Sequence, residues 1–202
     1  GMPGIWHEMA LEIGERFCRG ASIPGIPGIS LGQNNDVAWS FTTTAGDTQD
    51  LFVERLTPGS TDRYVTAGGD SLFVSRAETI KIRGAADVTL TVRQTAHGPV
   101  ISDIGLAAEA AGAGEVVALA WPGFLENDRT AEALYRMNHA ADAASFREAL
   151  RLFDSPQQNV VFADTAGAIG FVAAGRMPVR KALSGGGQMP APGWTGAYDW
   201  TG

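Results

Sequence analysis

The chain carries a single cysteine, Cys18, so it can form neither an internal disulfide nor a cysteine-based metal cluster. Charge is also scarce. Of 202 residues 18% are charged, against roughly 25% in an average globular protein, and 45% are hydrophobic, a balance that suits a folded chain rather than a solvated disordered one. Basic residues are the rarer sign, 15 Lys+Arg against 22 Asp+Glu for a net charge of −7, which leaves no basic stripe for nucleic acid or for an anionic membrane surface. No run approaches the ~18 apolar residues of a membrane span. The opening PGIWHEMALEIGERF lacks the basic and apolar regions of a secretion signal. Histidine is sparse as well: His7, His97 and His139 lie far apart, none in a metal-ligand spacing, and each is expected to be a hydrogen-bonded or surface side chain.

The length suits one domain with a sizeable core, and we expect a single α+β domain over residues 2–202. Gly1 before Met2 is an order that translation does not produce and reads as a scar of tag removal. At the other end Trp194, Tyr198 and Trp200 crowd the last residues and need something to pack against, so both ends read as cut. The short runs VAWSFTTT, DLFVERL, SLFVSR, TIKIRG, DVTLTVRQT, PVIS and VVALAW are rich in β-branched or aromatic residues and divided by turn formers, which predicts strands. Between Thr130 and Phe153 the apolar spacing changes to three and four, predicting two short helices with Asp128 and Asp142 as N-caps. NVVFAD and AIGFVAAG, joined by Thr165-Ala166-Gly167, predict a hairpin, and a Gly- and Pro-rich loop follows from Ala182 to Gly193.

Few motifs carry chemistry by themselves. Gly28-Ile29-Ser30-Leu31-Gly32 matches the G-x-S-x-G of a serine-esterase nucleophile elbow, but polar turn residues and then a strand-like run follow it where the elbow needs a helix. Gly185-Gly186-Gly187 lacks the Lys-Ser/Thr of a phosphate loop and reads as a flexible loop. Asp47 and Asp50, flanking Gln49 on a turn, offer the oxygens a hard cation such as calcium uses, although metal-free acidic turns are far commoner.

Four stretches in order resemble the β-subunit of the penicillin acylase family, N-terminal-nucleophile hydrolases that include acyl-homoserine-lactone acylases. They are PGIPGISLGQNNDVAWSFT, its gapless continuation TTAGDTQDLFVERL, QTAHGPVIS, and SPQQNVVFADTAGAIGFVAAGRMPVR together with PAPGWTGAYDWTG. The resemblance implies a partial αββα sandwich, mostly antiparallel sheet with a short helical pair. It also implies hydrolysis of a linear amide (a β-lactam side chain, an N-acyl-homoserine lactone or an acyl-peptide) by an N-terminal serine that forms an acyl-enzyme with its own α-amine as base.

Carried over residue by residue, the resemblance makes the Thr43 backbone N–H an oxyanion donor, places Leu31 and Phe41 at the acyl pocket, and assigns a structural Ca2+ to Asp47, the Gln49 carbonyl and Asp50. It implies a periplasmic parent in which an α-subunit and the rest of the β-subunit complete the protein. Two local departures are Gln33, where the family has His or Arg, and Ser40, where it has Gly. The region of the nucleophilic serine, well before the position matching Ile5-Trp6, and that of the second oxyanion donor, an Asn beyond Asp199-Trp200-Thr201-Gly202, are not within the 202 residues. Ser22 cannot stand in, because the chemistry needs a free α-amine on the nucleophilic residue itself. The chain alone is therefore expected to be inactive, with a Ser30 esterase or a non-catalytic scaffold as the other readings.

Overall fold

The structure is a computed structural model and describes residues 4–202. The reading of Gly1 as a tag scar lies outside the described residues. In chain order the first strands are β1 (His7–Ile13), β2 (Arg16–Ser22), β3 (Leu31–Asn34), β4 (Val37–Thr43), β5 (Asp50–Arg55), β6 (Arg63–Thr66), β7 (Gly69–Leu72), β8 (Val74–Ile80) and β9 (Val88–Thr95). Next come β10 (Gly98–Pro99), β11 (Glu115–Ala120), helices α1 (Thr130–Asn138) and α2 (Ala143–Leu150), β12 (Gln158–Asp164), β13 (Ile169–Ala174) and β14 (Ala191–Pro192). No helix among the described residues is long and apolar enough to cross a membrane.

The chain forms two compact units. One comprises residues up to 46 with 125–177, the other 47–124 with 178–202. The first unit holds a six-stranded antiparallel sheet in the order β1-β2-β3-β4-β12-β13, so β12 returns after the helices to pair with β4. Alternation along β4 turns Val37 and Trp39 toward α1 and α2 and leaves Ala38 and Ser40 exposed. Phe146, with no exposed surface, sits between Trp39 (ring centroids 5.5 Å) and Phe162 (4.9 Å). Burying such a side chain contributes about 1.5–3 kcal/mol. Opposite Phe162, Gly170 is required by close approach, since a Cβ there would lie 2.2 Å from the ring.

Asp142 caps α2 as expected, accepting from the Ser145 backbone N–H at 2.6 Å while the Ser145 hydroxyl accepts from the Asp142 N–H, a reciprocal pair worth about 1 kcal/mol. Asp128 is not the N-cap of α1. That position is Arg129, and Asp128 instead takes the Thr130 N–H at 3.0 Å from one residue further out.

In the second unit β5 lies between β14 and β11, the latter antiparallel to it, beside the small sheets β10-β9-β8 and β6-β7. Phe52, Ala120 and Ala191 form one core cluster with Tyr198 and Trp200 packed against it, so the C-terminal aromatics do find a partner surface.

Several readings of the sequence need correction: SLFVSR is divided at Phe73 between β7 and β8, and of PVIS only Pro99 lies in a strand, with Val100 in an isolated bridge to Ala118. The β1–β2 hairpin was not expected; it turns at Gly14-Glu15, with Gly14 at φ +61°. TIKIRG is not a strand of its own, because β8 ends at Ile80 and the chain must reverse there for Ile80 to face Val88. Finally, the run from Ala182 to Gly193 is not loop throughout, since Ala191 and Pro192 form β14 and pair with β5 in parallel within a fold that is otherwise antiparallel as expected.

Candidate oxyanion and cation-binding elements

In the first unit, β3 and β4 carry three of the expected site residues. The entry to β3 is set by Asn138 at the end of α1, whose side chain accepts from Ile29 N (2.7 Å) and donates to Ile29 O (2.9 Å) as a neighbouring strand would. Asn34, at the other end of β3, donates to the carbonyls of Asn138 (3.1 Å) and Ala140 (2.9 Å). Gly28, at φ +83°, leaves room for the clasp, as a Cβ there would stand 2.7 Å from the Asn138 oxygen. The sequence reading missed both asparagines, because only the fold brings α1 to β3.

Ser30 is buried, at 3% exposure; its N–H donates to Ala21 O and its carbonyl accepts the Trp39 indole at 2.9 Å. The strand β3 follows directly. A nucleophile elbow presents its serine on an exposed strand-to-helix turn. Ser30 meets neither condition, which corrects the esterase alternative.

Thr43 is the exposed last residue of β4 and faces Gln158 of β12. On the opposite edge the pairing of β4 with β3 stops at Trp39, so among the described residues no strand pairs with that side from Ser40 to Thr43. Phe41 is half-buried on the helix side, edge-on to Phe153 at 6.5 Å. Leu31 is three residues from Asn34, which bonds the end of α1, so strand alternation puts Leu31 on the other face. The structure therefore does not bring Leu31 and Phe41 together on one face.

In the second unit Asp47 and Asp50 do converge, and the cation between them is Arg180. Its Nε donates to Asp50 Oδ2 at 2.6 Å, and its Nη2 donates to the Asp47 carbonyl at 3.0 Å and lies 3.3 Å from Asp47 Oδ1. The Trp200 indole adds a second donor to Asp50 Oδ2 at 2.6 Å. One guanidinium faces two carboxylates, so the cluster keeps one uncompensated negative charge, and Asp47 is half exposed. Gln49 is exposed beside them. Among the described residues no three His, Cys, Asp or Glu side chains gather as a metal cage. Arg180 and Trp200 were not singled out as site residues, since each meets Asp50 across more than a hundred residues of sequence.

The penicillin amidase family profile matches residues 1–202. The chain is 33% identical over 201 residues to an acyl-homoserine lactone acylase QuiP of Pseudomonas fluorescens (strain Pf0-1), covering 99% of this chain and 24% of that protein. It is 31% identical over 204 residues to a penicillin acylase 2 proenzyme of Pseudomonas sp. (strain SE83), covering 100% of this chain and 25% of the relative. The chain thus spans about a quarter of the length of the curated relatives it matches. Among solved structures, a thermostable penicillin G acylase from Alcaligenes faecalis superposes with a TM-score of 0.82 at 24% identity, over 100% of this chain and 35% of that one, a likeness of fold. With the profile matched from end to end and the fold in agreement, the chain belongs to the penicillin amidase family.

Proposed function

We propose that these 202 residues are one segment of a longer amide hydrolase that cleaves a small linear amide, such as a β-lactam side chain, an N-acyl-homoserine lactone or an acyl-peptide. The observation that carries the reading is the family match over the whole chain, with similarity to acylases of both named kinds. In the proposed reaction a serine outside these residues attacks the acyl carbon, its hydroxyl proton passing to its own α-amine. The new C–O bond gives a tetrahedral oxyanion; collapse expels the amine with that proton, and water then releases the acid from the acyl-enzyme. The Thr43 N–H supplies one oxyanion donor at the uncovered edge of β4, a position where any residue except proline serves. Leu31 and Phe41 contact the acyl group from the two faces beside that edge.

The rest of the longer protein has a surface to cover. On the sheet face away from α1 and α2, Val161 (49% exposed), Ile169 (84%) and Phe171 (63%) lie bare, an apolar strip suited to a second packed layer. We assign that layer to the α-subunit and the remainder of the β-subunit. Assay of the longer protein tests the reading: it releases free acid from phenylacetyl amides or acyl-homoserine lactones through a mass-detectable acyl-enzyme. Hydrolysis of esters alone would contradict it.

Calcium is part of the same proposal. The donor set suits a hard cation in kind, two carboxylates and the Gln49 carbonyl, and the charge left uncompensated by Arg180 favours one. Bound there it would pin the 47–50 turn and take no part in bond making. Three oxygens of the six to eight calcium prefers imply weak binding by this segment, with Arg180 in competition. Calorimetry at millimolar calcium should show a small heat that Asp47→Asn/Asp50→Asn removes; the same heat in both proteins would refute the site.

A further inference from the structure

Apart from the site above, the second unit buries a titratable cluster that the proposed chemistry does not use. Glu54 on β5 has no exposed surface. Its Oε1 lies 2.6 Å from His97 Nδ1, and its Oε2 has no hydrogen-bond partner among the described residues, pressed against Gly193, where a Cβ would come within 2.2 Å of it. The other ring nitrogen, Nε2, faces Asp199 Oδ1 at 3.2 Å, and the imidazole is stacked on Phe52 with centroids 3.8 Å apart.

Both ring nitrogens thus point at carboxylates. A neutral imidazole has one N–H and one lone pair, so it would turn the lone pair on one of the two oxygens, whereas an imidazolium donates to both. The charge also answers the cost of burying ionised Glu54 with one of its oxygens unpaired. The polar groups next to these three residues have partners of their own, Thr95 Oγ1 accepting from His97 N at 3.1 Å. Lys181 donates to Asp199 Oδ2 at 3.0 Å, the Tyr64 hydroxyl accepts from Ala96 N, and the Arg55 guanidinium lies over the Trp194 ring.

We infer that His97 is a proton-operated latch, which when doubly protonated ties the segment 199–202 to β5 and when deprotonated gives up one of its two carboxylate bonds. The segment is also held by the Trp200 indole on Asp50 Oδ2 (2.6 Å), by Lys181 Nζ on Asp199 Oδ2 (3.0 Å) and by backbone bonds, of which Lys181 N to Asp199 O (3.0 Å) and Thr201 N to Val179 O (2.7 Å) lie nearest the Asp199 side of the latch and report on it. Burial by itself would push the His97 pKa down, but the hydrogen bonds and charges of Glu54 and Asp199 outweigh it and hold the pKa above the ordinary value. The stabilisation is therefore complete below the ordinary histidine value and is lost as pH rises through the raised one. Asp199 bounds the window from the acid side. Burial opposes its ionisation, yet Lys181 and His97 keep its pKa below the usual carboxylate range, so its contribution is lost only as pH falls through that lowered value.

The test is amide hydrogen exchange at Lys181 and Thr201 in the unaltered chain at about two pH units below and above the His97 midpoint, which NMR of the ring protons locates first. Corrected for intrinsic rates, protection should fall about tenfold or more at the higher pH, and the His97 ring protons should titrate by NMR above the ordinary value with the same midpoint. In His97→Gln, which stays neutral, protection should be low and free of the step. Unchanged protection between the two pH values overturns the latch, as does a His97 midpoint at or below the ordinary value. Should His97→Gln fail to fold, the two readouts on the unaltered chain decide.

Discussion

Thr43→Pro in the proposed longer hydrolase is expected to lower kcat about 10²- to 10³-fold, the loss of one oxyanion donor. Proline deletes the backbone N–H and nothing else the proposed chemistry uses, since the Thr43 side chain is exposed and its hydroxyl accepts only a long 3.4 Å bond from Ala45 N. The position tolerates the ring in principle, lying at the end of β4 with one edge uncovered by β3. Thr43→Ala keeps the N–H and should keep turnover within about twofold, while KM stays similar in both variants because the donor acts on charge that develops in the transition state. Steady-state kinetics on the three proteins, with circular dichroism to show an intact sheet, checks the result. Equal turnover in Thr43→Pro would remove Thr43 from the proposed oxyanion hole.

Sequence patterns and the fold agree where a signal is local. Alternation in VAWSFTTT and NVVFAD, the spacing of Phe146, Leu150 and Phe153, and the Gly167 turn at φ +89° each depend on neighbours within a few residues, and β4, β12, α2 and the β12–β13 hairpin follow them. The first hairpin had a signal too. Met9, Leu11 and Ile13 alternate with Glu8, Ala10 and Glu12 up to Gly14, but β1 is an exposed edge strand with little burial to mark it.

Other features depend on contacts that no local pattern encodes. Asn138 reaches Ile29 across 109 residues, Arg180 reaches Asp50 across 130, and Asp199 reaches His97 across 102. In each case an ordinary polar residue acquires its role only once distant strands pair. His97 illustrates the limit. Its expected status as a hydrogen-bonded histidine holds, yet nothing around position 97 signals that Glu54 and Asp199 lie on either side of the ring. The family resemblance, by contrast, was legible because four motifs occur in order, and the match extends over every residue.

The second large effect is an absence of activity in the chain by itself. A triad-type site stripped of its nucleophile keeps at best about 10³–10⁴ over water from its oxyanion hole and binding, and losing one donor removes about 10²–10³ of that. In the proposed enzyme these 202 residues would supply one donor, the Thr43 N–H at the edge of β4, while the nucleophile with its free α-amine and the second donor belong to the rest of the protein. Ser30, buried and leading into a strand, has no elbow geometry with which to replace them. The most direct measurement is therefore to incubate the purified chain with phenylacetyl amide, long-chain acyl-homoserine lactone and p-nitrophenyl ester substrates, and in parallel with a fluorophosphonate probe. The account predicts no turnover and no covalent label; hydrolysis with labelling, both abolished by Ser30→Ala, would contradict it.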